Sequence, residues 1–126
     1  MLALDTNVLL RLLVRDDAQQ ASAADAAAIK GGWISHLVLA EAVWVLDAVY
    51  NRTPKQLIAA LDMLLMHQTL VLQDADVVSA ALVQLRAKPG LGFSDCLVLE
   101  IARKAGHLPL ATLDKALGKL AGTQRL

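Results

Sequence analysis

Residues 2–13 read LALDTNVLLRLL, an apolar run that stops at Asp-Thr-Asn before a second apolar run begins. The first run predicts a short buried strand, and the second predicts a helix. In an open α/β sheet, ligands bind at the carboxyl ends of the strands. Asp5 is therefore expected at the edge of the sheet where chemistry is usually placed, and other carboxylates that follow strands are expected at the same edge.

The rest of the chain repeats this alternation of short apolar strands with helices. Further strands are predicted at 33–34, 70–72 and 108–112, with an edge strand at 123–126. Helices are predicted at 17–30, 36–50, 94–105 and 115–120, and two more are predicted to open at Thr53 and Asp74 and to continue at least to Leu65 and Leu85. The predicted N-caps are Asp17, Ser35, Thr53, Asp74 and either Ser94 or Asp95. This order predicts an α/β fold in three α/β/α layers, with a short central parallel sheet covered on both faces.

Composition limits the class of protein. The chain has 126 residues, which suits one domain spanning residues 1–126, and 56% of them are hydrophobic, an excess that indicates a surface used for association. Twelve basic and twelve acidic residues balance, so a strongly basic nucleic-acid binder is not indicated, although a local basic rim is compatible with this balance. A single cysteine, Cys96, excludes an intrachain disulfide and a cysteine metal site.

No segment of the sequence predicts a membrane span or a signal peptide. The longest apolar stretch, residues 37–49, is short and is interrupted by Glu41 and Asp47. Met1 leads directly into the first apolar strand, without a charged region before it. A cytoplasmic protein that does not contact a membrane is therefore expected.

Three aspartates each allow two interpretations. Asp5 and Asp114 follow predicted strands, and Asp95 follows the glycine-rich loop 88–92. Each also precedes a helix, where aspartate is a favoured N-cap. Taken singly, each is explained by capping as well as by chemistry.

Glu41 differs because it lies inside a helix and cannot cap it. Helical spacing aligns Glu41 with Leu37 and Trp44, so the face is predicted to be apolar and buried. A carboxylate on such a face is costly unless it is paired, protonated or bound to a metal ion. An arginine partner from another element is the structural alternative.

Together, these four carboxylates predict a metal site. In a parallel sheet all four positions fall on the same side, and acids that converge there raise one another's pKa unless a cation lies between them. Oxygen ligands favour Mg²⁺, with Mn²⁺ as the second choice. An activated water beside such an ion suits phosphodiester hydrolysis.

The same motifs carry a family resemblance. The segment Leu4–Leu9, the Ala40-Glu41 pair in a helix that Ser35 opens, Phe93-Ser94-Asp95 and Thr112-Leu113-Asp114 resemble the PIN-domain ribonucleases over essentially the whole chain. More narrowly, the chain is similar to VapC-type toxins of bacterial toxin–antitoxin pairs. The resemblance implies a PIN-like α/β/α domain and an Mg²⁺-dependent endoribonuclease that leaves 5′-phosphate and 3′-hydroxyl ends.

The resemblance also implies roles for individual residues and partners. An acidic pocket would consist of Asp5, Glu41, Asp95 and Asp114, and polar groups that orient these acids would be Asn7, Ser94 and Thr112. It implies a homodimer, held inactive by a VapB-like antitoxin. Two positions depart from the family pattern. Leu113 stands where phenylalanine is frequent, and Glu100 replaces a small or apolar residue and is expected to point away from the pocket.

Several other residues allow alternative interpretations. The candidate RNA contacts are Arg11, Arg15, Lys88 and Lys115, with Lys119 nearby, and an ordinary solvated surface explains these equally well. The three histidines have no ligand spacing, and Cys96 is expected to be buried.

Three other functions compete with the nuclease. An aspartyl-nucleophile phosphatase would need a second aspartate where Asn7 stands, and a receiver domain would need an adjacent acidic pair and a late lysine that are not evident. A catalytically inactive PIN-like module that binds RNA or protein is disfavoured because all four acids are intact.

Overall fold

Five short strands and six α-helices alternate along the chain in the computed structural model, which describes residues 1–126. The helices are α1 (Thr6–Leu13), α2 (Ala18–Ile29), α3 (His36–Ala48), α4 (Pro54–Met66), α5 (Ala75–Ala87) and α6 (Phe93–Ala105). The strands are β1 (Leu2–Ala3), β2 (Gly32–Ile34), β3 (Leu70–Leu72), β4 (Leu110–Thr112) and β5 (Thr123–Arg125). None of the helices has the length and apolar character needed to cross a bilayer. The α/β prediction is confirmed.

The strands are parallel, as predicted, and form two sheets rather than one. β1, β2 and β3 pair in that order, and β4 pairs with β5. The chain divides correspondingly into a first unit, residues 1–75, and a second unit, residues 76–126. The one-domain interpretation of residues 1–126 stays a prediction.

One face of the three-stranded sheet in the first unit is buried. Ile34, Leu70 and Leu72 are buried on that face, whereas Trp33 and Val71 point outward from the alternate positions. α2 packs on β2, and α4 packs on β3. The core of this unit is rich in leucine side chains, which include Leu9, Leu39, Leu61 and Leu64.

The second unit has α5, α6 and the β4–β5 pair. Its buried side chains include Val78, Leu82, Cys96 and Leu99, so the prediction of a buried cysteine is confirmed. The edge strand predicted at the carboxyl end is β5. The helix predicted at 115–120 is only a single 3₁₀ turn, Leu117–Lys119, because residue 120 already returns to an extended backbone.

Most helix starts follow the predicted capping residues. Ser35 and Asp17 accept hydrogen bonds from first-turn N–H groups, and Thr53 forms a reciprocal capping box with Gln56. The start of α6 was predicted wrongly. The helix begins at Phe93, after Gly92, so Ser94 and Asp95 lie inside its first turn rather than at its cap. Burial of the Phe93 side chain favours this earlier start, since the ring anchors the first turn in the core.

Candidate metal centre

Asp5 is held at the junction between β1 and α1. Its backbone is extended, and its Oδ1 accepts a hydrogen bond from the Val8 N–H at 3.0 Å, which makes it the N-cap of α1. The capping interpretation is therefore correct, but it uses only one carboxylate oxygen. Oδ2 has no hydrogen-bond partner in the first unit, and the side chain is exposed. Asp5 can thus cap the helix and still offer an oxygen to a ligand.

Glu41 is held by a hydroxyl group, not by a cation. The Thr6 Oγ1 donates to Glu41 Oε2 at 2.8 Å, which joins α1 to α3 across 35 positions of sequence. No arginine, lysine or histidine of the first unit forms a salt bridge with Glu41. Because Thr6 directly follows Asp5, this bond brings Glu41 to the start of α1. The structure therefore places two of the four predicted acids at one junction.

The environment of Glu41 differs from the prediction. Leu37 and Trp44, one turn away on either side, are 68% and 64% exposed, and Glu41 itself is exposed. α3 buries the opposite face, through Leu39, Ala42, Val43 and Leu46. Both faces of this helix are apolar in sequence, so periodicity did not reveal which one the core would select. The prediction of a buried face around Glu41 is wrong.

Asp95 lies in the first turn of α6 and is partly exposed. A carboxylate there interacts favourably with the unpaired N–H groups at the start of the helix. Ser94, beside it, is exposed. The next residue, Cys96, is fully buried, and burial together with the nearby Asp95 and Glu100 charges raises its thiol pKa to about 11.

Asp114 is positioned by local hydrogen bonds at the end of β4. The Asp114 N–H donates to Thr112 Oγ1 at 3.0 Å, and Asp114 Oδ1 accepts from the Leu117 N–H at 2.8 Å. Asp114 Oδ1 thus holds the turn that leads into the 3₁₀ helix, whose own N-cap residue is Ala116. Asp114 Oδ2 has no hydrogen-bond partner in the second unit. Thr112 contacts the backbone of Asp114, which is compatible with its predicted orienting role.

The donor chemistry of these residues fits a hard divalent cation. All four are carboxylates, and none forms a salt bridge within its own unit. No group of three or more His, Cys, Asp or Glu side chains stands together in a way that could hold a metal ion. Two acids belong to the first unit and two to the second. The convergence of all four stays a prediction.

Two of the four candidate RNA contacts already have acidic partners. Arg11 bonds to Asp16 and to the Tyr50 hydroxyl, and Arg15 forms a two-pronged salt bridge with Asp25 at 2.8 and 2.6 Å. The Arg15 guanidinium lowers the pKa of Asp25, chiefly through these hydrogen bonds. The other two, Lys88 and Lys115, are exposed. An RNA-binding role for all four stays a prediction.

One residue of the junction was missed in the sequence. No role in the site was predicted for Thr6, whereas its hydroxyl holds Glu41. Only the adjacency of Thr6 to Asp5 pointed to the site, because no spacing rule relates residues this far apart in sequence.

Comparison with known proteins identifies the family. No curated protein matches the chain. Among solved structures, the chain is similar to Mycobacterium tuberculosis VapC20, described as a Sarcin-Ricin loop cleaving toxin, with 18% identity, 98% coverage of each chain and a TM-score of 0.45. The family model of the PIN domain matches residues 2–123, a range that contains all four predicted acids. A match over nearly the whole length shows that the chain belongs to the PIN domain family.

Proposed function

We propose that this protein is an Mg²⁺-dependent endoribonuclease and the toxin of a toxin–antitoxin pair. Membership of the PIN domain family supports a nuclease, and the sequence resemblance to VapC-type toxins supports the narrower role. All four acids of the family pattern are present, as Asp5, Glu41, Asp95 and Asp114. The phosphatase alternative is not favoured, because Asn7 occupies the position of its second aspartate.

The observation that carries this proposal is the state of Glu41. Glu41 is exposed, forms no salt bridge within the first unit, and is fixed by the Thr6 hydroxyl at the junction that also carries Asp5. Neither Oε1 of Glu41 nor Oδ2 of Asp5 has a hydrogen-bond partner in the first unit, so both oxygens are available to a ligand. Two carboxylates held at one junction offer the oxygen ligands that a hard divalent cation prefers.

Each residue has a defined part in the proposed reaction. Asp5, Asp95 and Asp114 would hold Mg²⁺ directly or through water, with Mn²⁺ as a substitute. Glu41 Oε1 would complete the shell or accept a hydrogen bond from the attacking water, while Thr6 fixes the carboxylate through Oε2. The bound ion supplies a polarised water and stabilises charge on the phosphate oxygens.

Bond changes in this reaction follow from the products. The water oxygen bonds to phosphorus as the bond from phosphorus to the 3′-oxygen breaks, and one water proton is transferred to solvent while the 3′-oxygen takes up another. The products carry 5′-phosphate and 3′-hydroxyl ends. Asn7, Ser94 and Thr112 would keep the carboxylates oriented, and Arg11, Arg15, Lys88 and Lys115 would contact phosphates along the strand.

The test is RNA cleavage with matched variants. Wild type, Asp5→Asn, Asp95→Asn and Asp47→Asn are incubated with mixed RNA, with and without Mg²⁺. Asp47 is an exposed carboxylate on α3 outside the predicted pocket, so its variant should cleave like wild type. Loss of one metal ligand is expected to lower activity by at least about 100-fold. Equal cleavage by all four proteins, or cleavage that resists a chelator, would exclude the mechanism.

A second part of the proposal concerns partners and location. We infer a cytoplasmic homodimer that a VapB-like antitoxin inhibits, on the basis of the family resemblance alone. Co-expression with the product of the neighbouring short reading frame should block RNA cleavage and give a complex on size exclusion. RNA binding without cleavage by the wild-type protein would instead favour the inactive binding module.

A further inference from the structure

The second unit buries one charged side chain. Glu100, in the middle of α6, is only 5% exposed. Burying a carboxylate is costly unless hydrogen bonds and an opposite charge compensate it. Arg103 Nε donates to Oε1 at 3.0 Å, and Gln84 Nε2 on α5 donates to Oε2 at 3.4 Å. Both carboxylate oxygens of Glu100 are thus used inside the unit.

Arg103 also reaches beyond its own helix. Its Nη2 donates to the Ala121 carbonyl at 3.0 Å, in the turn before β5. The next residue, Gly122, has a φ of +90°, and a Cβ there would lie 3.0 Å from the same Nη2. Glycine therefore serves both the left-handed turn and the close approach of the guanidinium. The Glu100–Arg103 pair, here called the brace, joins α6 to this turn.

The same turn also holds β4, the strand that leads to Asp114. The Leu110 N–H donates to the Gly122 carbonyl at 2.8 Å, at the start of β4. β4 ends at Thr112, whose hydroxyl accepts from the Asp114 N–H. Hydrogen bonds and a short paired strand therefore connect the brace to one of the four predicted acids.

We propose that Arg103, held by Glu100, is a positioning residue for Asp114, an inference that rests on the proposed function. α6 carries Asp95 in its first turn, and residues 106–109 form the covalent link from α6 to β4. The connection through residues 106–109 alone would let β4 rotate relative to α6. The brace adds a second connection, which fixes β4 against α6. Asp114 is thereby held relative to α6 before any ion or RNA binds, which lowers the cost of assembling the site.

A double variant tests the brace without leaving a buried charge unpaired. Glu100→Leu/Arg103→Met removes both charges, a replacement that commonly preserves the fold. The Leu110 N–H donates to the Gly122 carbonyl, and the Leu126 N–H donates to the Thr112 carbonyl. In metal-free protein, we expect both amides to exchange faster in the double variant than in wild type. We also expect that half-maximal RNA cleavage requires about tenfold more Mg²⁺.

Two further variants complete the design. Asp76→Asn, which removes a surface pair with Lys104 between α5 and α6, is the matched control and should change neither readout. Arg103→Lys keeps the positive charge but lacks the planar guanidinium, so its amide exchange rates and its Mg²⁺ requirement should lie between those of wild type and the double variant. If the double variant does not fold stably, the same two measurements on Arg103→Lys replace it.

The outcomes separate the brace from the proposed function. Unchanged amide exchange in a folded double variant would overturn the brace. Faster exchange with an unchanged Mg²⁺ requirement would overturn the positioning role. A wild-type protein that does not cleave RNA would remove the proposed function and the positioning role together, while amide exchange still decides whether the brace exists.

Discussion

Gly32, in the middle strand of the first sheet, has no room for a methyl group. A Cβ at this position would lie 2.7 Å from Leu4 Cδ1, 2.9 Å from Leu4 Cγ and 3.1 Å from Leu70 Cδ2. Leu4 is only 5% exposed, so its side chain cannot move into solvent. Gly32→Ala is therefore expected to destabilise the protein, although alanine is normally the better residue within a strand.

The size of the effect follows from these distances. Carbon atoms in good contact are about 3.5–4.0 Å apart, so Leu4 must retreat by about 1 Å. Overpacking of this kind costs about 1–3 kcal/mol, and the reduced backbone freedom of the unfolded chain returns about 0.5–1 kcal/mol. The net loss of about 1–2 kcal/mol in the free energy of unfolding would lower Tm by about 4–8 °C.

Denaturant unfolding of Gly32→Ala and wild type measures this loss, provided that both have the same m-value. Gly90→Ala is the matched control, because no atom lies within 4 Å of an added Cβ in that loop, and its stability should be unchanged or slightly raised. Leu4 directly precedes Asp5, so RNA cleavage by Gly32→Ala should fall as well. If Gly32→Ala has the same free energy of unfolding as wild type, the packing argument is refuted.

Three other predictions concern single interactions. A double-mutant cycle with Thr6→Val and Glu41→Ala should give a coupling of about 0.5–1 kcal/mol in denaturant unfolding, and no coupling would mean that the bond contributes nothing to stability. The hydrogen bond from Lys104 lowers the pKa of Asp76 in the folded protein. The Asp76–Lys104 pair therefore stabilises the fold at pH values above the ordinary aspartate pKa, and this stabilisation is lost as the pH falls through the lowered pKa of the folded state. An NMR titration should show this low midpoint, and Lys104→Gln should raise it; an unmoved midpoint would contradict the assignment. With the Cys96 pKa raised to about 11, the thiolate at pH 8 is about 100-fold scarcer than in the unfolded chain. Iodoacetamide should therefore alkylate Cys96 about 100-fold more slowly in the native protein than in the denatured protein. Equal alkylation rates in the two states would contradict the burial of this thiol.

Features decided by a few neighbouring residues were predictable from the sequence. The Thr53 capping box, the Leu70–Leu72 strand and the turn at Gly106 depend on local hydrogen bonds and backbone preferences. The choice of buried face was not predictable for α3, because Leu37 and Trp44 are as apolar as the residues that the core selected. Which apolar face is covered depends on the other elements, and periodicity does not contain that information.

In the candidate site, too, the local features were predictable from the sequence and the contacts between distant elements were not. Asp5 and Asp114 were found at strand ends, where the apolar runs stop, and each uses one carboxylate oxygen in a local hydrogen bond from a backbone N–H. The Thr6–Glu41 bond was not predictable, since it links residues from different helices. The sequence also contained the Glu100–Arg103 pair at helical spacing, but nothing in it revealed that the glutamate would be buried.

The division of the chain has a consequence for its synthesis. The first sheet is complete once β3 has been translated, at residues 70–72, when Asp95 and Asp114 do not yet exist. At about 5–20 residues per second, the interval from Asp5 to Asp114 is on the order of 10 s on the ribosome. Under the proposed function, the nascent toxin carries at most two of its four acids until Asp95 is added, so the translation machinery is not exposed to a finished nuclease before Asp114 has been synthesised.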